Sequence, residues 1–350
     1  MGRQIKLLLI LSALSLSSCG DNAVSSEISS SSESIVSSKD SSFSSVKIDS
    51  SLSKEESSIV PTKDIYFPTD VDEPNISTGV DAFIGYSPYR ITHMYTGDGA
   101  EERIVEYTYN NKYCSIDSLG RITGIKEGSS RAYAITESGK KYAIKINVKA
   151  GESFRSWIRE SAAQMLTNYE KRGSRKDSYV FMGDSFFDPR GFWTESNFYS
   201  SFEGKNVFLT GIGTAKTNDW MTIKKENLID FAPKAIFVNL GVNNLINAGD
   251  NGKTLAAKLK TLFEELHYMK EDMPIYYYGI IKSGEQSWNG NSAISNAIMK
   301  EYAEKTPWLT YLDIPSLLDP NISAYLKSDN LHPNDDAYAK YAELAKRYMQ

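Results

Sequence analysis

Four short stretches of the 350-residue chain carry side chains that together could perform acyl transfer. Ser185 stands in Gly183-Asp184-Ser185, and His332 follows Asp329 by three positions in Asp329-Asn330-Leu331-His332-Pro333. A serine hydroxyl is a poor nucleophile until a base takes its proton, and imidazole is the side chain suited to that near neutral pH. The imidazole must be held in one tautomer by an acceptor on its other nitrogen, which Asp329 can supply across a turn. A tetrahedral intermediate then needs hydrogen-bond donors for its oxygen. The candidates are the Ser185 N–H, a backbone N–H from Gly211-Ile212-Gly213-Thr214, and the Asn243 amide in Gly241-Val242-Asn243-Asn244. Elimination supports the choice of base. His93 lies in a β-rich region and His267 within a helical pattern, while His332 alone sits beside a turn with an Asp partner. Pro333 biases His332 towards extended backbone and can open the following helix.

These residues need a scaffold that gathers them. Apolar runs occur at Tyr179-Val180-Phe181-Met182, Val207-Phe208-Leu209, Ala235-Ile236-Phe237-Val238, Ile275-Tyr276-Tyr277-Tyr278 and Leu309-Thr310-Tyr311-Leu312. Amphipathic stretches separate them, one with Leu255, Leu259, Leu262, Phe263, Leu266 and Met269 on a single face. Strands buried on both faces and alternating with helices predict an α/β fold with a doubly wound parallel sheet of five strands. Ligands bind such sheets at the C-terminal strand ends. Each candidate stretch falls just past a run or opens the last helix.

The order Gly-Asp-Ser, Gly-Ile-Gly, Gly-x-Asn, Asp-x-x-His across residues 177–350 resembles the SGNH/GDSL hydrolase family. The resemblance implies a flavodoxin-like sheet and a serine esterase. Ser185 would be the nucleophile and His332 the base with Asp329. The oxyanion hole would comprise Ser185, Gly213 or Thr214, and Asn243. Two departures stand out. Thr214 occupies the position where the family commonly has the last Gly of its second block, so its Cβ could crowd the oxyanion or shift the donation to Gly213. Asn244 replaces the usual Asp, a change expected to act on loop order more than on chemistry. Trp193 and Trp220 follow the first two blocks and are candidates for stacking on a sugar ring, against the plainer reading that they pack the core.

Upstream, Arg3 and Lys6 precede an apolar run from Leu7 to Leu14, too short to span a bilayer and laid out like a secretory signal. It ends in Leu16-Ser17-Ser18-Cys19-Gly20, which resembles a bacterial lipoprotein signal. That resemblance implies cleavage after residue 18, acylation of Cys19 and a membrane anchor on the extracytoplasmic face. Residues 19–60 are dominated by Ser with few aromatics and are expected to form a disordered tether. Residues 61–149 alternate polar and apolar positions between turn signals and predict a small β-sandwich. Gly120-Arg121-Ile122-Thr123-Gly124, with a closing strand from Tyr142 to Val148, resembles a bacterial group 2 immunoglobulin-like domain. Such a domain implies a spacer in preference to an adhesin. Residues 150–176 read as a helical linker with Phe154, Trp157, Ile158, Ala162, Met165 and Tyr169 on its apolar face. If Cys19 is lipidated, Cys114 has no disulfide partner and is expected to be a small buried apolar residue.

Composition narrows the classes. A net charge of −5 without clustered Lys and Arg argues against a nucleic-acid binder. There is no metal-ligand spacing, phosphate-cradling loop or dinucleotide fingerprint, so no cofactor is expected. The expectation is a lipid-anchored esterase acting on O-acyl groups of carbohydrate or cell-wall polymers. A lysophospholipase, a broad-specificity esterase and a non-catalytic adhesion module are the alternatives.

Overall fold

The computed structural model describes residues 43–47, 79–91, 93–95, 101–284 and 287–350. The signal-like segment with Cys19, most of the Ser-rich stretch and residues 61–78 lie outside the described residues.

The N-terminal part of the described chain, up to Lys149, is all β. One sheet has the order β1-β5-β8-β9-β2, with β4 also paired to β5. These strands are β1 (Phe43–Lys47), β2 (Gly79–Phe83), β4 (His93–Tyr95), β5 (Glu101–Asn110), β8 (Gly128–Thr136) and β9 (Lys141–Lys149). A second, smaller sheet joins β3 (Tyr89–Arg90), β7 (Arg121–Gly124) and β6 (Cys114–Ile116). Alternation along β9 buries Tyr142, Ile144, Ile146 and Val148, which meet Ile104, Tyr107, Ile122, Ala132 and Ala134 in one core. Cys114 is part of that core, and burial pushes its thiol up to about 11. One expectation needs correcting. Phe43–Lys47, within the stretch read as a disordered tether, pairs antiparallel with β5. The edge of β5 offers unpaired backbone groups, and an extended Ser-rich segment can satisfy them whatever its side chains.

The chain then enters α1 (Ser156–Arg172), which buries Ile158, Ala162, Met165 and Tyr169. Two of the residues assigned to its apolar face behave differently. Phe154 precedes the helix and packs on Phe83 and Tyr86, and Trp157 is 50% exposed.

Five parallel strands follow: β10 (Tyr179–Gly183), β11 (Val207–Leu209), β12 (Ala235–Asn239), β13 (Ile275–Tyr278) and β14 (Leu309–Leu312), in the order β11-β10-β12-β13-β14. Every residue of β10 and β12 is buried, which is why these strands are continuous apolar runs. The accompanying helices are α2 (Glu195–Ser201), α3 (Thr217–Asn227), α4 (Val242–Asn247), α5 (Gly252–Met269), α6 (Asn289–Glu304), α7 (Ile314–Leu318) and α8 (Asp335–Lys346). The predicted parallel five-stranded sheet is present strand for strand.

The β-rich part is docked on this sheet domain through a buried ion cluster. Glu265 of α5, 1% exposed, accepts from Arg121 Nε at 3.1 Å and lies 3.7 Å from both Arg90 Nη1 and Lys224 Nζ. Lys224 also donates to the carbonyls of Pro88 (2.9 Å) and Met221 (2.8 Å). Burial depresses its ammonium to about 8 against the pull of Glu265. The Arg121 guanidinium stacks on Tyr268, and the Tyr89 hydroxyl donates to Asn218.

Candidate active site

β10 ends at Gly183, whose φ of +152° and tight surroundings exclude a side chain: a Cβ would stand 1.8 Å from Asn239 O. Asp184 is fully buried beneath the turn, its Oδ1 accepting from Phe186 N at 3.2 Å. Burial raises its carboxyl to about 7, against the hydrogen bonds from Phe186 N–H and Asn239. The turn then presents Ser185.

Ser185 Oγ lies 2.8 Å from His332 Nε2, and His332 Nδ1 lies 2.7 Å from Asp329 Oδ2. The other carboxylate oxygen of Asp329 accepts the backbone N–H groups of Leu331 and His332, each at 3.0 Å. Asn330, with φ of +57°, makes the tight turn between them. Asp329 is therefore held by the same loop it orients. Burial pushes its carboxyl up, but the two backbone donors and the imidazole outweigh this and keep it below the usual carboxylate range. Phe192 stacks on the imidazole at 3.6 Å and 19°, and Phe186 lies 5.5 Å away. Burial takes His332 below its ordinary 6.5, against the opposing effect of Asp329.

A pH dependence follows. The imidazole must be neutral to accept a proton, so activity is lost as pH falls through its folded-state pKa. Because that value is depressed, the acid limb of kcat/KM should have its midpoint below 6.5. Initial rates with an aryl acetate across the acid range measure this, and a midpoint above pH 7 would contradict it.

The donors expected to hold an oxyanion lie in the next two loops. Thr214 adopts a left-handed conformation, φ +66°, keeping the backbone that a glycine would have there. The N–H groups of Ser185 and Thr214 donate to no acceptor among the described residues. Gly213, expected as an alternative donor, has a different role: its N–H donates to Asp188 Oδ2 at 2.7 Å. Asn243 gives one amide hydrogen to Ala215 O at 3.3 Å and accepts from Asn247 at 3.0 Å, leaving its second N–H available. Asn244 acts on loop order. It accepts from Thr217 N at 3.1 Å and donates to Thr217 Oγ1 at 3.0 Å and Asp250 at 2.8 Å.

The two tryptophans singled out as substrate contacts are corrected to packing residues. Trp193 is 2% exposed and stacks on Tyr338; Trp220 is fully buried and donates from Nε1 to Gly183 O at 2.8 Å. Sequence reasoning missed Asp188 and Arg190. Arg190 grips Asp188 with Nε at 2.9 Å and Nη2 at 2.7 Å, and so supports Gly213. The turn signal Asp188-Pro189-Arg190 was visible, but nothing in it points to a glycine 25 residues later.

Residues 181–340 match the model of the GDSL-like Lipase/Acylhydrolase family. Among solved structures, the chain is similar to a GDSL-like lipase from Bacteroides thetaiotaomicron at 14% identity. That likeness covers 54% of this chain and 97% of the other, with a TM-score of 0.43. It is also similar to an acetylxylan esterase from Geobacillus stearothermophilus at 18% identity, covering 50% of this chain and 94% of the other, with a TM-score of 0.41. Comparison with curated proteins gave no match.

Proposed function

We propose that Ser185, His332 and Asp329 are the nucleophile, base and orienting carboxylate of a chain whose residues 181–340 form a domain of the GDSL-like lipase/acylhydrolase family. That domain makes the protein a serine ester hydrolase. The unbroken hydrogen-bonded line from Ser185 Oγ through His332 to Asp329 carries the assignment. Ser185 Oγ attacks the ester carbonyl carbon as its proton passes to His332 Nε2. The resulting oxyanion is held by the N–H groups of Ser185 and Thr214 and by the Asn243 amide. Collapse expels the alcohol, which takes the proton from the imidazolium and leaves an acyl-serine. Water, deprotonated by the same imidazole, attacks the acyl carbon and releases the acid with return of the proton to Ser185.

A fluorophosphonate probe tests this reading. It should label the protein stoichiometrically at Ser185, located by peptide mass spectrometry, and suppress aryl acetate hydrolysis in proportion. Absence of labelling in a protein that folds would reject the assignment.

The finer reading is O-deacetylation of a carbohydrate or cell-wall polymer by an enzyme anchored through lipidated Cys19 on the extracytoplasmic face. Its support is the order of segments: a signal-like apolar run ending at Cys19, a Ser-rich stretch, an immunoglobulin-like spacer and then the hydrolase. That layout suits a polymer too large to diffuse to the enzyme. Rates on acetate against longer acyl esters separate this from a lysophospholipase, which would favour the longer chains. Cys19→Ser should move the protein from the membrane fraction to the soluble one; retention in the membrane fraction contradicts the anchor.

A further inference from the structure

We infer that the first turn of α1, which belongs to none of the four sequence blocks, aims the backbone oxyanion donor, with Trp157 and Arg155 as positioning residues. The inference rests on Thr214 N–H being that donor. Trp157 Nε1 donates to Gly213 O at 2.9 Å. That carbonyl belongs to the same peptide unit as the Thr214 N–H. In a trans peptide the C=O and N–H point in opposite directions, so fixing the carbonyl from outside fixes the N–H on the other side. A hydrogen bond accepted by the carbonyl also polarises the unit and strengthens its N–H as a donor.

Arg155 holds the next unit. Its guanidinium donates to Thr214 Oγ1 at 3.0 Å and Thr214 O at 3.4 Å, and pairs with the carboxylate of Asp219. Asp219, 4% exposed at its side chain, accepts from Lys216 N at 2.9 Å and closes the far side of the loop. A β-branched residue seldom adopts the left-handed conformation, and Thr214 holds it at φ +66°. The contact of Arg155 with its hydroxyl supplies the restraint that a glycine would not need. From the opposite flank, Asp188 fixes Gly213 N–H. Three of the four backbone polar groups of residues 213 and 214 are thus engaged by side chains, and the fourth is the proposed donor.

The indole is half exposed, so Trp157→Phe keeps most of the packing while removing the N–H. It should lower kcat for an aryl acetate by about 10- to 100-fold, somewhat less than loss of an oxyanion donor itself, with KM nearly unchanged. Binding of a boronic acid that forms a tetrahedral serine adduct should weaken in parallel, while binding of the carboxylic acid product should not. Arg155→Met should act in the same direction, and Thr214→Gly in that background should restore part of kcat, because glycine holds the same left-handed conformation without the cost of a Cβ. Wild-type kcat in Trp157→Phe, or a fall in boronate and product affinity together, would overturn the inference. Fluorophosphonate labelling of the parent protein at Ser185, run alongside, separates the two claims. Failure of labelling removes the serine hydrolase assignment, whereas labelling with an unaffected Trp157→Phe removes the α1 clamp alone.

Discussion

Ser185→Ala should lower kcat for ester hydrolysis on the order of 10⁶-fold, leaving only what the oxyanion donors and binding sustain, and Asp329→Asn should cost about 10⁴-fold. The second value is the more informative, because the substitution changes no volume. One oxygen of Asp329 accepts two backbone N–H groups at 3.0 Å, so an asparagine must keep its carbonyl there. Its NH₂ then faces His332 Nδ1, where the carboxylate oxygen stood at 2.7 Å. A donor at that position makes Nδ1 the acceptor and places the ring proton on Nε2. Nε2 is the atom 2.8 Å from Ser185 Oγ, and in that tautomer it cannot take the hydroxyl proton. Steady-state kinetics with a chromogenic acetate measure both variants. An Asp329→Asn enzyme within tenfold of the parent would show that the carboxylate does not set the tautomer.

The second large effect is on stability. Glu265→Ala should destabilise the protein by about 3–5 kcal/mol, read from urea unfolding. The magnitude follows from what the substitution leaves behind: Arg90, Arg121 and Lys224 converge on a carboxylate that is 1% exposed. Without it, cations remain in a site with little access to water. Lys224 already shows the strain of burial, its ammonium depressed to about 8. Lys224→Met combined with Glu265→Leu should recover only the share of the loss owed to Lys224, because Arg90 and Arg121 remain without their carboxylate. A Glu265→Ala variant destabilised by less than about 1 kcal/mol would show that the cluster is solvated in practice.

The parts that were legible in the sequence are those with local signatures. Five apolar runs became five parallel strands, three of them buried throughout, because a parallel sheet covered on both faces permits little else. Ser185, Asn243, Asp329 and His332 stood out as candidates because each follows a strand or opens a helix, and the structure joins three of them in one hydrogen-bonded line. What was not legible depends on partners far apart in the chain. Trp157 fits the helical apolar stripe by spacing, yet its nitrogen bonds a carbonyl 56 residues away and its ring is half exposed. Trp193 and Trp220 lie near the site in sequence but turn into the core, one against Tyr338 and one onto Gly183 O. Periodicity assigns a residue to a face; it does not say what that face meets. The same limit concealed Glu265, a polar position on an amphipathic helix that reads as solvent-facing until Arg121 arrives from the β-rich part.

The proposed nucleophile and base stand 147 residues apart, and α8, which begins three residues after His332, is fastened to the turn that carries Ser185. The Tyr338 hydroxyl donates to Phe186 O at 2.9 Å, and the Tyr341 hydroxyl reaches Asn239 Oδ1 at 3.3 Å. Both hydroxyls belong to a segment that is synthesised after the turn carrying Ser185. Until α8 seats, Ser185 has no imidazole beside it, and the proposed triad is complete only with that helix in place.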